Sequence, residues 1–289
     1  MDIYRTGLDV ILKEDIGEKD ITSEMLFDKE TARGVIIVKE NCLLAGLVEA
    51  VDLFLLRSLS VFPKCSDGDV LKPGTQVLEV EGHAVDILSV ERTALNMLSK
   101  MSGIATRTRV LTDMVKKINP ECNVSATRKT TPGFRYYEKK AVVIGGGNPH
   151  RFGLFDAVLI KDNHLALGAK ASNAARRFTP AEAVARAKRF VEAHAPGMIV
   201  EVEADTLEQL AEVLPAGPDI VLLDNMDPDE LAEAVARRDA LAPAVELEAS
   251  GGVDLETVGA IARSGVERIS VGALTHSATS LDLGLDWLG

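Results

Sequence analysis

Five short apolar runs recur through the second half of the chain, the last four at near-regular spacing: DAVLI (156–160), MIVEVEA (198–204), DIVLLD (219–224), AVELEAS (244–250) and ERISVGA (267–273). Each has the length of a strand, and segments of helical pattern separate them. Two of those helices announce their starts. Thr179-Pro180-Ala181-Glu182 and Asp227-Pro228-Asp229-Glu230 each combine an N-cap, a proline at the first helical position and a capping-box glutamate. Asp254 is expected to cap a third helix, DLETVGAIARSG, which stops at Gly265. Near-continuous apolar strands alternating with helices require a parallel sheet covered by those helices. The number of units favours a complete or slightly incomplete barrel over an open sheet.

In such barrels the chemistry lies at the C-terminal ends of the strands. The first run ends in Lys161-Asp162-Asn163-His164, and the second offers Glu201 and Glu203 on one face. The third ends in Asp224-Asn225, the fourth in Ser250-Gly251-Gly252, the fifth in Val271-Gly272-Ala273. Glycine loops on the last two strands, the first of them leading into a helix, suit a phosphate. Glu203 and Asp224 end adjacent strands, where they can hold Mg2+ or face positive charge developing on a sugar. Spacing alone does not choose between Glu201 and Glu203. Lys161 admits three readings: a point charge for an anion, a Schiff-base nucleophile, or a structural ion pair.

Charge narrows these choices. The chain carries a net charge of −12, yet the window 127–164 holds seven cations and three anions. A basic island in an acidic chain suits a small anionic ligand and argues against a nucleic-acid surface. Arg128, His150 and Arg151 within it match a dicarboxylate, because guanidinium groups grip carboxylates bidentately. Gly145-Gly146-Gly147 reads as a flexible or close-approach turn and is neither a Walker loop nor a dinucleotide fingerprint. Arg135, Lys139, Lys140 and the pair Arg176-Arg177 read as solvated helix charges.

The first half reads as a mixed α/β domain. Residues 3–12 and Thr22 to Met25 look helical, and DGDVLKPGTQVLEVEG places short strands between turn signals. That last piece also has the look of a biotinyl-type carrier, but no modifiable lysine stands in a Met-Lys-Met turn. From Leu88 the pattern is helical, with Gly103 expected to interrupt it and a second helix from about Thr106 to Ile118. The chain is 46% hydrophobic, with no apolar run near the ~20 residues of a membrane span. Charges at Asp2, Arg5, Asp9 and Lys13 exclude a secretory signal. Three widely spaced cysteines without metal-ligand spacing imply reduced thiols in a cytoplasmic protein.

With these residues in view, the chain resembles the quinolinate phosphoribosyltransferase family. The matching motifs are EDIGEKDITSEML (14–26), ERTALNMLSKMSGIAT (91–106), TRKTTPGFR (127–135), GGGNPHR (145–151), VLIKDNH (158–164), EVEADTLEQL (201–210), VLLDN (221–225), EASGGV (248–253) and ISVGALTHS (269–277). The resemblance implies an N-terminal open α/β sandwich domain over 1–104 and an incomplete, seven-stranded α/β barrel over 105–289. Roughly the last 15 residues are expected to pack back on the first domain. It implies a carboxylating nicotinate-nucleotide diphosphorylase: quinolinate and phosphoribosyl pyrophosphate give nicotinate mononucleotide, pyrophosphate and CO2 with Mg2+, in de novo NAD synthesis. It implies at least a homodimer, with no nucleic-acid or membrane partner.

Roles carry over residue by residue. Arg92 resembles the arginine that reaches into the partner subunit's site. Arg128, His150 and Arg151 resemble the quinolinate-carboxylate cluster, with Thr127 beside them. Lys129 and Lys161 resemble the active-site lysines, and Glu203 and Asp224 the acidic pair near the ribose and its metal, bound directly or through water. Ser250 to Gly252 and Val271 to Ala273 resemble the 5′-phosphate cup. Two departures stand out: Lys19 replaces the usual glycine before DITS, and LALGAKASNAARRFTPAEAV (165–184) is longer than in many relatives. The alternative within this class is a diverged phosphoribosyltransferase, of the molybdenum-transport-associated type or acting on another pyridine acid; the intact LIKDNH speaks against the former.

Overall fold

The computed structural model describes residues 3–171 and 178–288. In chain order its elements begin with α1 (Ile3–Ile16), α2 (Ile21–Leu26), β1 (Thr31–Val38), β2 (Cys42–Leu43), α3 (Leu47–Leu55), β3 (Ser60–Pro63), β4 (Val70–Leu71), β5 (Gln76–His83) and α4 (Ala84–Ile118). Next come β6 (Asn123–Ser125), α5 (Arg135–Ile144), β7 (Val158–Ile160), α6 (Asp162–Ala171), α7 (Pro180–His194), β8 (Val200–Ala204) and α8 (Leu207–Val213). The chain ends with β9 (Ile220–Asp224), α9 (Pro228–Leu241), β10 (Glu246–Ser250), α10 (Val258–Arg263), β11 (Arg268–Ser270), α11 (Ala273–His276) and β12 (Leu283–Trp287). Two units emerge: Met1–Arg109 with Gly133–Gly146 and Ser277–Gly289, and Val110–Pro132 with Gly147–His276.

The first unit is built on an antiparallel sheet of order β12-β1-β5-β3, with β2 and β4 as a separate pair. Val35, Ile36 and Val38 of β1 and Val77, Leu78 and Val80 of β5 are buried, as are Ile87, Leu95, Leu98 and Met101 of α4. Gly103 does not interrupt α4, which continues through it. The glycine is there for space: a Cβ at Gly103 would fall 2.0 Å from Thr279 O. Local propensity suggested a break, and a close backbone approach explains the residue instead.

The two units are not continuous in the chain, and α5 is grouped with the first. Tyr137, Ala141 and Val142 are buried there, and Lys140 donates to the fully buried Glu49 at 2.8 and 3.0 Å. The turn after α5 approaches α4 so closely that a Cβ at Gly145 would lie 2.5 Å from Thr108 Cβ. The expectation that Lys139 and Lys140 are solvated therefore fails: Lys139 is 2% exposed and Lys140 is in an ion pair. Their helix was amphipathic toward a partner that the local pattern could not identify. Arg135 is half-buried, and Arg176-Arg177 lie outside the described residues.

The second unit holds a parallel sheet of order β6-β11-β10-β9-β8-β7. Six strands are formed, and Asn148 adds a single parallel bridge to Ser125 at the β6 edge, in the place of a seventh. β8 is buried along its whole length. Both proline-containing capping boxes, at Thr179 and Asp227, are formed. Asp254 differs from expectation. Its carboxylate accepts from the Glu256 and Thr257 amides in a turn, and α10 begins only at Val258. No helix among the described residues is long and apolar enough to cross a membrane. All three cysteines are free; burial pushes the Cys42 thiol up to about 11 and Cys122 up to about 12, as expected for inert thiols.

Candidate active site

A cleft of about 1040 Å³ opens at the C-terminal ends of the parallel strands. It gathers Thr127, Arg128 and Lys129 after β6, His150 and Arg151 after the Asn148 bridge, and Lys161 at the end of β7. Glu203 of β8, Asp224 of β9, Ser250, Gly251 and Gly252 at β10, and Gly272 and Ala273 after β11 complete the ring. Val271 sits behind it, buried, its amide donating to Ser125 O at 2.9 Å. Arg92 belongs to the first unit, on α4, with a 65% exposed side chain. A smaller cavity of about 640 Å³ lies at the opposite, N-terminal ends of the strands, around the Arg268–Glu246 ion pair. That end of a barrel serves stability.

The cations are arranged by their loops. The Thr127 hydroxyl accepts from Lys129 N at 3.0 Å, and Thr275 Oγ1 donates to Lys129 O at 2.7 Å, which holds the Lys129 turn. Arg151 donates to Ala157 O at 3.3 Å. Burial and then the neighbouring Arg128 guanidinium hold Arg151 below the usual arginine range, while Glu201 opposes the shift. Two guanidinium groups at close quarters repel unless an anion joins them. Arg128 Nε, buried and without a protein partner among the described residues, leaves such an anion a donor.

Lys161 donates to the Glu203 carboxylate across adjacent strands. This is an ion pair rather than the desolvated amine of a Schiff-base lysine. On the far side, Asn225 Nδ2 donates to Asp224 Oδ2 at 2.7 Å and orients that carboxylate. Asn225 itself adopts φ +56°, and its backbone amide donates to Ser250 O. The interlock demands Gly251: φ there is +97°, and a Cβ would fall 2.1 Å from Asn225 Oδ1. The glycine loop is thus shaped by contact as well as by φ.

His150 lies deeper than expected. Its Nε2 is 3.4 Å from Glu201 and 3.2 Å from Glu248, both nearly fully buried. Its Nδ1 accepts from Arg151 N at 2.7 Å. Burial alone would lower its pKa; hydrogen bonds to Glu201 and Glu248 outweigh that and raise it to about 9. The Arg151 amide faces Nδ1 and the two carboxylates face Nε2, so it is Nε2 that turns its N–H toward Glu201 and Glu248. Burial raises the Glu201 carboxyl above its ordinary range, against the His150 hydrogen bond and with help from Glu248. Sequence reasoning passed over Glu248, although it lies two residues before Ser250 on the same strand face. It also left unassigned His164 and His276, which line the cleft; His164 Nδ1 accepts from Lys161 N at 2.9 Å.

A parallel barrel with paired guanidiniums, a carboxylate pair and a glycine cup on one rim defines an enzyme class that handles anionic and phosphorylated substrates. The comparisons agree. Quinolinate phosphoribosyl transferase, N-terminal domain, matches residues 20–102, and quinolinate phosphoribosyl transferase, C-terminal domain, matches 104–286. The chain belongs to this family. It is 40% identical over 292 residues to the "Probable nicotinate-nucleotide pyrophosphorylase (carboxylating)" of Methanothermobacter thermautotrophicus, covering 100% of this chain and 99% of that one. It is 40% identical over 272 residues to the nicotinate-nucleotide pyrophosphorylase (carboxylating) of Mycobacterium leprae, covering 92% and 90%. The solved nicotinate-nucleotide pyrophosphorylase from Francisella tularensis superposes with a TM-score of 0.86 at 33% identity, covering 99% and 98%.

Proposed function

We propose that this chain is a carboxylating nicotinate-nucleotide pyrophosphorylase, converting quinolinate and phosphoribosyl pyrophosphate to nicotinate mononucleotide, pyrophosphate and CO2 in NAD synthesis. The observation that carries the substrate reading is that Arg128 and Arg151 line the same cleft as the glycine cup. Two adjacent guanidiniums match the two carboxylates of a pyridine dicarboxylate. Ser250 to Gly252 with Gly272 and Ala273 form the cup for the 5′-phosphate, where backbone amides serve as donors. Lys129 and Lys161 neutralise the anions between these two ends.

The pyridine nitrogen attacks the anomeric carbon as the bond to pyrophosphate breaks. Glu203 and Asp224 face the positive charge that builds on the ribose. The pyridinium then accepts the electron pair of the bond to the 2-carboxylate; CO2 departs and a proton from solvent takes its place. Much of the rate comes from orienting two anions that otherwise repel.

Mg2+ fits this site. Glu203 and Asp224 offer hard oxygen ligands at the ends of neighbouring strands, and neither belongs to a closed protein cage among the described residues. Magnesium is commonly held by one or two carboxylates plus substrate phosphates. Bound there, directly or through water, it would supply charge neutralisation of the pyrophosphate. Incubation with quinolinate, phosphoribosyl pyrophosphate and Mg2+ should release CO2 and nicotinate mononucleotide in equal amounts. Nucleotide formed from nicotinate in place of quinolinate, without CO2, would reject the reading.

A cytoplasmic setting accords with this reading: the three cysteines are free, two of them buried. The working assembly is at least a homodimer, with the exposed Arg92 of one subunit serving the site of the other. Mixing Arg92→Ala with Arg128→Ala subunits should therefore restore activity to one site per mixed dimer. No recovery on mixing and re-equilibration would remove Arg92 from a shared site.

A further inference from the structure

Three polar side chains in the interior of the second unit are not used by the chemistry above. Glu201 on β8 and Glu248 on β10 are each 1% exposed as side chains, and the His150 ring between them is 10% exposed. Apart from the close contact with His150, Glu201 Oε1 and the Glu248 carboxylate oxygens have no hydrogen-bond partner. Burying two carboxylates is costly unless they hold something in place.

What they hold is the ring. Nε2 faces both glutamates, and Nδ1 accepts the Arg151 amide. Both ring nitrogens are therefore spent on the protein, and neither is left for a substrate carboxylate. The backbone shows the same purpose. His150 adopts φ +53°, unfavourable for a side-chain-bearing residue, and its amide donates to Asn148 Oδ1 at 2.7 Å. That conformation is pinned on one side by Asn148 and on the other by the anchored ring. The next residue is Arg151, which lines the cleft with Arg128.

We propose that Glu201, Glu248 and His150 are positioning residues: the two carboxylates fix the imidazole, and the imidazole fixes Arg151 so that its guanidinium meets the dicarboxylate beside Arg128. This rests on the reading of the cleft as a quinolinate site. The network serves the quinolinate end through Arg151, which directly follows His150, although the glycine cup begins two residues after Glu248 on β10.

The test is a binding cycle on the intact protein, with quinolinate and phosphoribosyl pyrophosphate titrated separately by calorimetry. Glu248→Gln should weaken quinolinate about tenfold or more, the scale of one charge-assisted hydrogen bond. Affinity for phosphoribosyl pyrophosphate should stay within about twofold, the scatter of independent sites. Added to Arg151→Ala, the same change should cost nothing further, because it acts through that residue. Unchanged quinolinate affinity, equal losses for both ligands, or losses that multiply in the double variant would overturn the proposal. Should Glu248→Gln fail to fold, the wild-type structure with quinolinate decides. Both His150 nitrogens should keep their protein partners; a carboxylate on either nitrogen, or a metal ion among the three side chains, would refute it. A wild-type protein that binds no quinolinate is a different failure, that of the functional reading.

Discussion

Arg128→Ala should lower kcat/KM for quinolinate by about 3–5 kcal/mol of transition-state free energy, roughly two to three and a half orders of magnitude. The residue follows the end of β6 and lines the cleft together with Arg151. Its Nε is buried and lacks a protein partner among the described residues, and the residue lines the cleft. Truncation leaves a substrate carboxylate in a half-buried site with one fork where two were available. Arg128→Lys should recover little, because an ammonium cannot reproduce the bidentate geometry. The KM for phosphoribosyl pyrophosphate should change far less, its phosphate lying at the glycine cup. Steady-state kinetics with each substrate varied in turn checks this; a near-normal kcat/KM for quinolinate would contradict the carboxylate role.

Gly103→Ala should destabilise the protein, against the helix-propensity rule. In an exposed helix the change would gain about 1 kcal/mol. Here a Cβ would meet the Thr279 carbonyl oxygen at 2.0 Å, and a backbone atom cannot rotate away. The segment around Thr279 is tied to the same helix: Lys100 donates to Ala278 O at 3.4 Å, and Leu281 N donates to Ser99 O at 3.1 Å. It leads into β12, which forms an edge of the antiparallel sheet. Overpacking of this kind costs about 1–3 kcal/mol and more where backbone must shift. We expect a net loss of about 2 kcal/mol and a fall of roughly 5 °C in the unfolding midpoint. Amides of β12 should lose hydrogen-exchange protection first. A midpoint equal to or above wild type would show that the strap yields freely.

Much of the barrel was legible because its signals are local. The capping boxes at Thr179 and Asp227, the apolar strands and the polar residues at their C-terminal ends each depend on neighbours a few positions away. Period-two alternation placed Glu201 and Glu203 on one face, and strand ends placed Lys161, Asp224 and Ser250 on one rim. Local signals misled where the deciding contact was distant. Gly103 resembled a break and is a close-approach site; Lys139 and Lys140 resembled solvated charges and are buried or paired. Asp254 had the spacing of a cap, and the turn it stabilises stops short of the helix.

The basic window 127–164 by itself determined that an anion would be held, and the strand ends determined which residues could share a rim. Only the tertiary structure sorted that window by depth. It put Arg128 and Arg151 in one cleft, gave Lys161 to Glu203, and paired Lys140 with Glu49 within the first unit. It also turned the His150 ring inward onto Glu201 and Glu248. The physical reason is that period and capping act along the chain, whereas the partners of a buried charge are set by which strands the parallel sheet brings together.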